Sequence, residues 1–477
     1  MRQNDQSEVG GQSAFENAAV PPGTLTSTID VVEFIDERKF SLFQVSILVL
    51  CFLVLAADGF DAAAIGYIAP ALVVKWGVSR GALGPVMSAA LIGLGIGALV
   101  AGPIADRIGR KAVLVLSVAC FGVWSVASAQ AHSIEMLTAL RLLTGLGLGA
   151  AMPNAMTLMS EYAPARIRAV AVNLMNCGFS FGLVVGGVGS AWLIPTFGWQ
   201  SVLIAGGVGP LALAVMLMIF LPESVQFLVL RKNVPTRIAR ILRRIAPGER
   251  LDGCQFVAAL ADRQVSRTES PFSLLLGERY RLGTLMLWVA YFMGLLIYYL
   301  LTNWLPTLMK DGGFSMRNAA LMTSLFPLGG MVGNVCVGWI MDRFDGARVL
   351  ALTFSLTAAL VLVAGQAMSS PGALGVLLFL CGALLISAAT SMSALAVSFY
   401  PTQGRATGVS WMHGMGRPGG VAGAWVGAVL MGMGLNLGAV FSLLAVPALG
   451  AAGALYVMAP RGHRHALADH EPSKQTL

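Results

Sequence analysis

The sequence predicts an all-α integral membrane protein of twelve transmembrane helices, arranged as two six-helix pseudo-repeats with both termini cytoplasmic. Three observations predict it: apolar runs of spanning length along nearly the whole chain, one long polar segment dividing them six from six, and a motif that returns at a fixed offset.

The apolar runs come first. Of the 477 residues 56% are hydrophobic and 11% charged, against about 25% charged in soluble domains. Stretches of roughly 20 apolar residues can each cross a hydrocarbon core of about 30 Å as a helix. They place the spans at 41–72, 81–104, 111–130, 134–160, 168–194 and 200–221, then 282–308, 316–341, 347–368, 372–398, 404–430 and 435–459. The chain accordingly divides into a cytoplasmic segment 1–40, a six-helix bundle 41–221, a cytoplasmic central loop 222–281, a second bundle 282–459 and a cytoplasmic tail 460–477. An even number of spans puts both termini on one side. Of the 31 Lys and Arg, 25 fall on that side, and the loops opposite hold Lys75, Arg80, Lys310 and Arg317. The positive-inside rule makes the rich side cytoplasmic. The formal charge of +8 is then a topology signal joined to attraction for anionic membrane lipid, and requires no nucleic-acid partner. Residues 1–38 lack the basic, apolar and small-residue order of a secretory signal, so the first span is expected to direct insertion. The six cysteines are single and five lie within spans, which suggests neither a disulfide framework nor a metal cluster. No cofactor is expected.

The repeat follows at an offset of 236 to 237 residues. "GPIADRIGR" from Gly102 answers "GWIMDRFDG" from Gly338, so that Asp106 falls on Asp342 and Arg107 on Arg343. Pro70 falls on Pro306, Pro164 on Pro401 and Arg168 on Arg405. Parallel six-helix repeats joined by a long interior loop build carriers whose central site faces each side in turn. A channel needs no such arrangement.

Positions whose chemistry differs between the halves are not required by the shared scaffold. Charge inside the membrane is the informative case, because it costs about 3 kcal/mol per group on insertion scales and marks pathways or paired sites. The set is Asp58 and Asp61 in the first span, Arg141 in the fourth and Arg417 in the eleventh; at the same offset they answer Gly294, Ile297, Leu378 and Ser180. Asp58 and Asp61, three residues apart, lie about 60° apart on a helix and share a face. Two neighbouring carboxylates in a partly dry site do not both stay ionised easily, so one is expected to take and release a proton. Two guanidiniums offer the forked hydrogen bonds that an organic carboxylate needs. The expected cargo is an anion moving with protons, while Asp61 or Asp58 also stands available to neutralise Arg141. One proton cancels the penalty of about 2.3 kcal/mol per 100 mV for bringing an anion into a negative interior.

The loop Gly102, Asp106, Arg107, Gly109, Arg110 and Lys111 resembles the Gly-x-x-x-Asp-Arg-x-Gly-Arg-Lys signature of the major facilitator superfamily, in which it latches the two halves. Within that superfamily the chain resembles the aromatic acid:proton symporters, of 4-hydroxybenzoate and protocatechuate type. The likeness rests on "DGFD" from Asp58, "RLLTGLGLGAAMPN" from Arg141 to Asn154 with "SEYAPARIR" beyond it, and "GRATGVSWMHGMGRPGG" from Gly404. "FIDERKFSLFQ", "PESVQFL" and "YYLLTNWLPTLM" add to it. The resemblance implies the major facilitator fold, a bacterial inner-membrane location, a monomer, proton coupling at Asp58 and Asp61, and a role for Arg141 and Arg417 in holding the carboxylate or its ion-pair network. Pro418 departs from the family pattern and bears on substrate identity more than on class.

Asn154, Tyr298, Trp304 and His413 complete the candidate substrate site, with Tyr299 and Trp411 as further stacking surfaces. His413, one turn before Arg417, is either a proton shuttle or a packed ring. Gly102, Asp106, Arg107, Gly109, Arg110, Glu161, Asp342 and Arg343 form the candidate gate, Glu161 being expected to pair with Arg166 or Arg168. "GLGLG" at Gly145 lies inside a span, where small residues let helices approach rather than bind a nucleotide. A sugar porter shares the Pro-Glu-Ser and Asp-Arg-x-Gly-Arg elements but needs no buried arginine pair. A drug/proton antiporter would move its solute outward, and an aromatic-acid sensor would need an output domain that the loop and tails do not display. An enzyme would need a nucleophile and base, or metal ligands, and the spans hold no such set.

Overall fold

The computed structural model describes residues 28–231, 235–249, 251, 253–257, 275–278, 280–367, 370–400 and 404–468. A short helix α1 (Val31–Asp36) precedes the first six spanning helices: α2 (Leu42–Trp76), α3 (Gly84–Ile108), α4 (Arg110–Ser128), α5 (Ile134–Tyr162), α6 (Arg168–Phe197) and α7 (Gln200–Phe220). Helices α8 (Val225–Leu230) and α9 (Pro235–Ile245) follow, and then the second six: α10 (Arg281–Asp311), α11 (Met316–Met341), α12 (Gly346–Gln366), α13 (Pro371–Phe399), α14 (Arg405–Gly432) and α15 (Leu437–Ala468). Among the described residues eleven of these helices are long and apolar enough to cross a membrane. The remaining long one, α14, reaches 28 residues but is less apolar, because Arg405, His413 and Arg417 lie along it among many glycines.

Local chemistry sets the ends. Ser41 and Gln44 form a reciprocal capping box that starts α2, and Gly77 ends it in the left-handed conformation that a side chain would strain. Side-chain oxygens of Ser133, Ser315 and Asp345 cap α5, α11 and α12. Many large apolar side chains, Leu99 and Val335 among them, stand exposed along the spanning helices.

The repeat read in the loops also governs the packing. In the first half a Cβ on Gly93, Gly97 or Gly145 would collide with the carbonyl oxygen of Leu142, Leu146 or Ala90; in the second, Gly329, Gly333 and Gly382 bear the same relation to Phe379, Ala383 and Phe326. Each residue maps onto its counterpart at the offset of 236 to 237. Thus α3 against α5 and α11 against α13 are one small-residue contact made twice, and the "GLGLG" run is a packing seam. Pro70 and Pro306, the repeated prolines, are both buried inside their helices, whereas Pro401 lies outside the described residues.

The halves converge at the end opposite the termini. There Gly66 approaches the carbonyls of Thr302 and Asn303, Gly84 meets Ala428, and Gly187 meets Ser324. Arg80 and Asp311 form an ion pair of 2.6 Å between the halves. One buried cluster runs through both halves at that end, including Ile68, Leu72, Trp304, Leu308 and Phe326. At the terminal-bearing end a second cluster belongs to the first half alone, joining Ile47, Leu114 and Tyr162 to α1, α8 and α9.

The segment before the first span and the central loop are tied together. Strand β1 (Thr28–Asp30) pairs in parallel with β2 (Gln255–Val257), and Arg38 bonds Glu249 at 2.7 Å.

Candidate functional site

The four intramembrane charges could form two acid–base pairs, and the structure closes one of them. Asp61 and Arg141, both fully buried, make a forked pair with Nη1 to Oδ1 and Nη2 to Oδ2 each at 2.8 Å. Arg141 Nη2 also donates to the Asp61 carbonyl at 3.3 Å, and the Ser125 hydroxyl lies 3.4 Å from Oδ1. The two charges thereby neutralise each other out of water, with only the Arg141 Nε left without a hydrogen-bond partner.

Asp58 and Arg417 are left. Asp58 is 3% exposed and its Oδ1 has no hydrogen-bond partner. Arg417 is half-buried, and among the described residues it makes neither a hydrogen bond nor an ion pair. Asp58 and Arg417 lie within electrostatic range of each other and of Tyr299. Asp58 lies midway along α2 and Arg417 midway along α14, so the open pair sits near the centre of the bundle with one member from each half.

Tyrosines surround it. Tyr298 and Tyr299 meet edge-on at 4.9 Å, and Tyr298 also faces Phe326 at 6.4 Å. Gly416 and Gly420, flanking Arg417 and Pro418, let α14 lie against the rings of Tyr291 and Tyr299, which a Cβ at either glycine would strike. His413 is bound at both nitrogens, Nδ1 to the Tyr291 hydroxyl at 2.9 Å and Nε2 to the Ser393 hydroxyl at 3.1 Å. That satisfies a neutral imidazole, one nitrogen donating and the other accepting. Trp304 is fully buried, its Nε1 donating to the Ala424 carbonyl at 3.0 Å. The Asn154 amide donates to Ala150 in its own helix at 2.7 Å, 13 residues along α5 from Arg141. Trp411 is partly exposed and stacks on Trp288.

The candidate gate divides differently from the candidate site. Arg110 pairs with Asp106 at 3.2 Å and reaches Glu161 at 3.7 Å, its guanidinium 5.5 Å from the Phe227 ring centre. The expected pairing of Glu161 with Arg166 or Arg168 is not formed. Glu161 instead accepts from the Ser224 hydroxyl, while the chain turns after Tyr162 and carries Arg166 to the Arg38 carbonyl and Arg168 to Asp36. Gly109, at φ 101°, brings the backbone against the Glu223 carboxylate, which accepts the Lys111 N–H at 3.1 Å. Arg231 donates to the Asp106 and Arg107 carbonyls, and no side chain obstructs Gly102. Asp342 and Arg343 are exposed, Arg343 lying over the Trp339 ring at 3.8 Å.

Sequence reasoning missed Glu223, Tyr291, Ser393 and the Arg80–Asp311 pair. Glu223 offered a signal, an acid just after a span beside a basic loop; the others come together only through the packing of distant helices.

A family model described as Major Facilitator Superfamily matches residues 51–424 and 287–476. The chain is 48% identical over 438 residues to the 4-hydroxybenzoate transporter PcaK of Pseudomonas aeruginosa, covering 92% of this chain and 97% of that one. It is 47% identical over 435 residues to a gallate transporter of Pseudomonas putida, covering 91% and 96%. Among solved structures, the xylose transporter from E. coli superposes with a TM-score of 0.68 at 19% identity, covering 91% of this chain and 98% of that one. The likeness to that structure is one of fold.

Proposed function

Since the chain belongs to the major facilitator superfamily, we propose that this multi-pass membrane protein imports a small aromatic carboxylate of the 4-hydroxybenzoate type together with protons. The supporting observation is the open pair: a buried carboxylate atom without a partner, within electrostatic range of a guanidinium without a bond, one from each half. The names of the similar 4-hydroxybenzoate and gallate transporters supply the aromatic acid.

Competition for one guanidinium gives a coupling mechanism. Arg417 can neutralise Asp58 or a substrate carboxylate, and a proton on Asp58 frees it for the substrate. The aromatic ring then lies among Tyr298, Tyr299 and Tyr291, with apolar faces for stacking and hydroxyls for ring substituents. Asp61 and Arg141 brace α2 against α5, and His413 braces α14 against α10 and α13. Trp304 and Asn154 belong to that scaffold. With the termini cytoplasmic, the outer end is closed and the site faces inward. The loop of Gly102, Asp106, Arg107, Gly109 and Arg110, with Glu161, would meet the region of Asp342 and Arg343 when the inner end closes. The carrier works as a monomer.

Proteoliposomes with an alkaline interior should accumulate labelled 4-hydroxybenzoate, and an uncoupler should stop them. Uptake indifferent to the uncoupler would exclude symport. Arg417→Lys replaces a fork by a point charge and should weaken substrate binding about tenfold, of the order of one charged hydrogen bond; equal affinity by calorimetry would remove Arg417 from the carboxylate site.

The outer pair is a gate element of modest strength, because both side chains are partly exposed and such pairs are worth about 1 kcal/mol or less. Arg80→Gln should therefore raise labelling of Ser324→Cys by an impermeant thiol reagent, up to about fivefold above the native cysteines. Unchanged labelling would show that the pair does not hold the outer end shut.

A further inference from the structure

The central loop contains a helix whose chemistry the transport site does not use. Helix α9 reads PTRIARILRRI; Ile238, Ala239, Ile241, Leu242 and Ile245 are buried against the bundle, while Arg237, Arg240, Arg243 and Arg244 remain exposed. It is an amphipathic shelf with a basic outer face, lying beside the first turns of α2. The Arg244 guanidinium sits 5.2 Å from the Phe43 ring centre, fixed at the point where α2 begins.

Beside it is a groove of about 620 Å³ between the start of α2 and the end of α7, lined by Leu42, Val45, Val49, Met216, Phe220 and Arg244 among others. Its walls face outward: Leu42 is 87% and Phe220 58% exposed. These are the first turns of one span and the last of another, so the groove opens sideways at the depth where acyl chains give way to headgroups. It has an apolar trough and a cation at its terminal-bearing mouth. The nearby acid Glu249 is already paired with Arg38.

We propose that this groove binds one anionic phospholipid of the leaflet at the terminal-bearing end. An acyl chain lies along the α2–α7 trough, and the phosphate and anionic headgroup meet Arg244, with Arg240 one turn earlier on the same face of α9. A basic pocket beside spanning helices at this level selects for lipid headgroup charge. The bound lipid joins α9 to the first bundle, stiffening the half that carries the Asp106 to Arg110 loop.

The test is native mass spectrometry of the full-length protein in neutral detergent, titrated with phosphatidylglycerol or phosphatidylcholine. Phosphatidylglycerol should be retained in one copy and phosphatidylcholine weakly. Each arginine near an anionic surface is worth about fivefold, so Arg244→Gln should weaken phosphatidylglycerol about fivefold and Arg240→Gln with Arg244→Gln on the order of 25-fold, leaving phosphatidylcholine unchanged. Val49→Trp, which fills the trough and keeps both charges, should also displace the lipid. Soluble glycerol phosphate should fail to compete. Equal retention of both lipids, full retention by the double arginine variant, or competition by glycerol phosphate would each overturn the site. None of these readouts depends on the cargo.

Discussion

Asp58→Asn is expected to abolish accumulation of the aromatic acid against its gradient while leaving the protein folded. The side chain is buried with one carboxylate oxygen unpartnered, so the isosteric amide fits the same space and removes a charge rather than a bond. What disappears is the proton-dependent release of Arg417. An anion carried without its proton is excluded from a negative interior by about 2.3 kcal/mol per 100 mV, close to 50-fold in steady-state accumulation. At about 100 mV, interior negative, the variant's accumulation should therefore fall by about that factor below that of the neutral proton–substrate pair, while labelled substrate still exchanges for unlabelled across the membrane. Paired uptake and exchange assays separate the two. Accumulation equal to the parent protein would take Asp58 out of the mechanism.

Breaking the closed pair should have the largest effect on stability. Arg141→Ala strands Asp61, and Asp61→Ala strands Arg141, in a place where neither has access to water. Removing one partner of a buried pair costs about 3–5 kcal/mol, whereas replacing both by apolar residues of similar volume is close to neutral. Each single variant should give little folded protein by thermal unfolding in detergent. Asp61→Leu with Arg141→Met should restore the folded yield and retain proton-driven uptake. Recovery of fold without recovery of coupling would move the coupling proton to Asp61.

Much of this was legible in the chain. Apolar run length marked the spans, and the 236-to-237 offset found at Asp106 and Asp342 recurs in the seams at Gly93 and Gly329. The comparison of halves isolated Asp58, Asp61, Arg141 and Arg417 because a shared scaffold has no use for a charge in one copy alone. What periodicity could not decide was which acid meets Arg141. Asp58 and Asp61 share a face, but Asp61 is almost one turn farther from the α2 start, and Arg141 stands near the outer end of α5, so depth selects the pair. The hydroxyls around His413 come from α10 and α13, more than one hundred residues and 20 residues away respectively. No local pattern announces them. The weak apolarity of α14 has the same origin as its importance, since the charge and glycines that lower it hold Arg417 against the tyrosines. Chain proximity favours Arg166 and Arg168 as partners of Glu161, but the turn after Tyr162 carries them away and Ser224 and Arg110 meet it instead.

The most direct test of the central claim reads the proton itself. Protein is reconstituted in liposomes holding a pH-sensitive dye, with no imposed gradient, and 4-hydroxybenzoate is added outside. Protein-free liposomes correct for permeation of the undissociated acid. Cotransport predicts acidification of the lumen with the same time course as substrate entry, lost in Asp58→Asn. Substrate entry with no protein-dependent change of lumenal pH would contradict it.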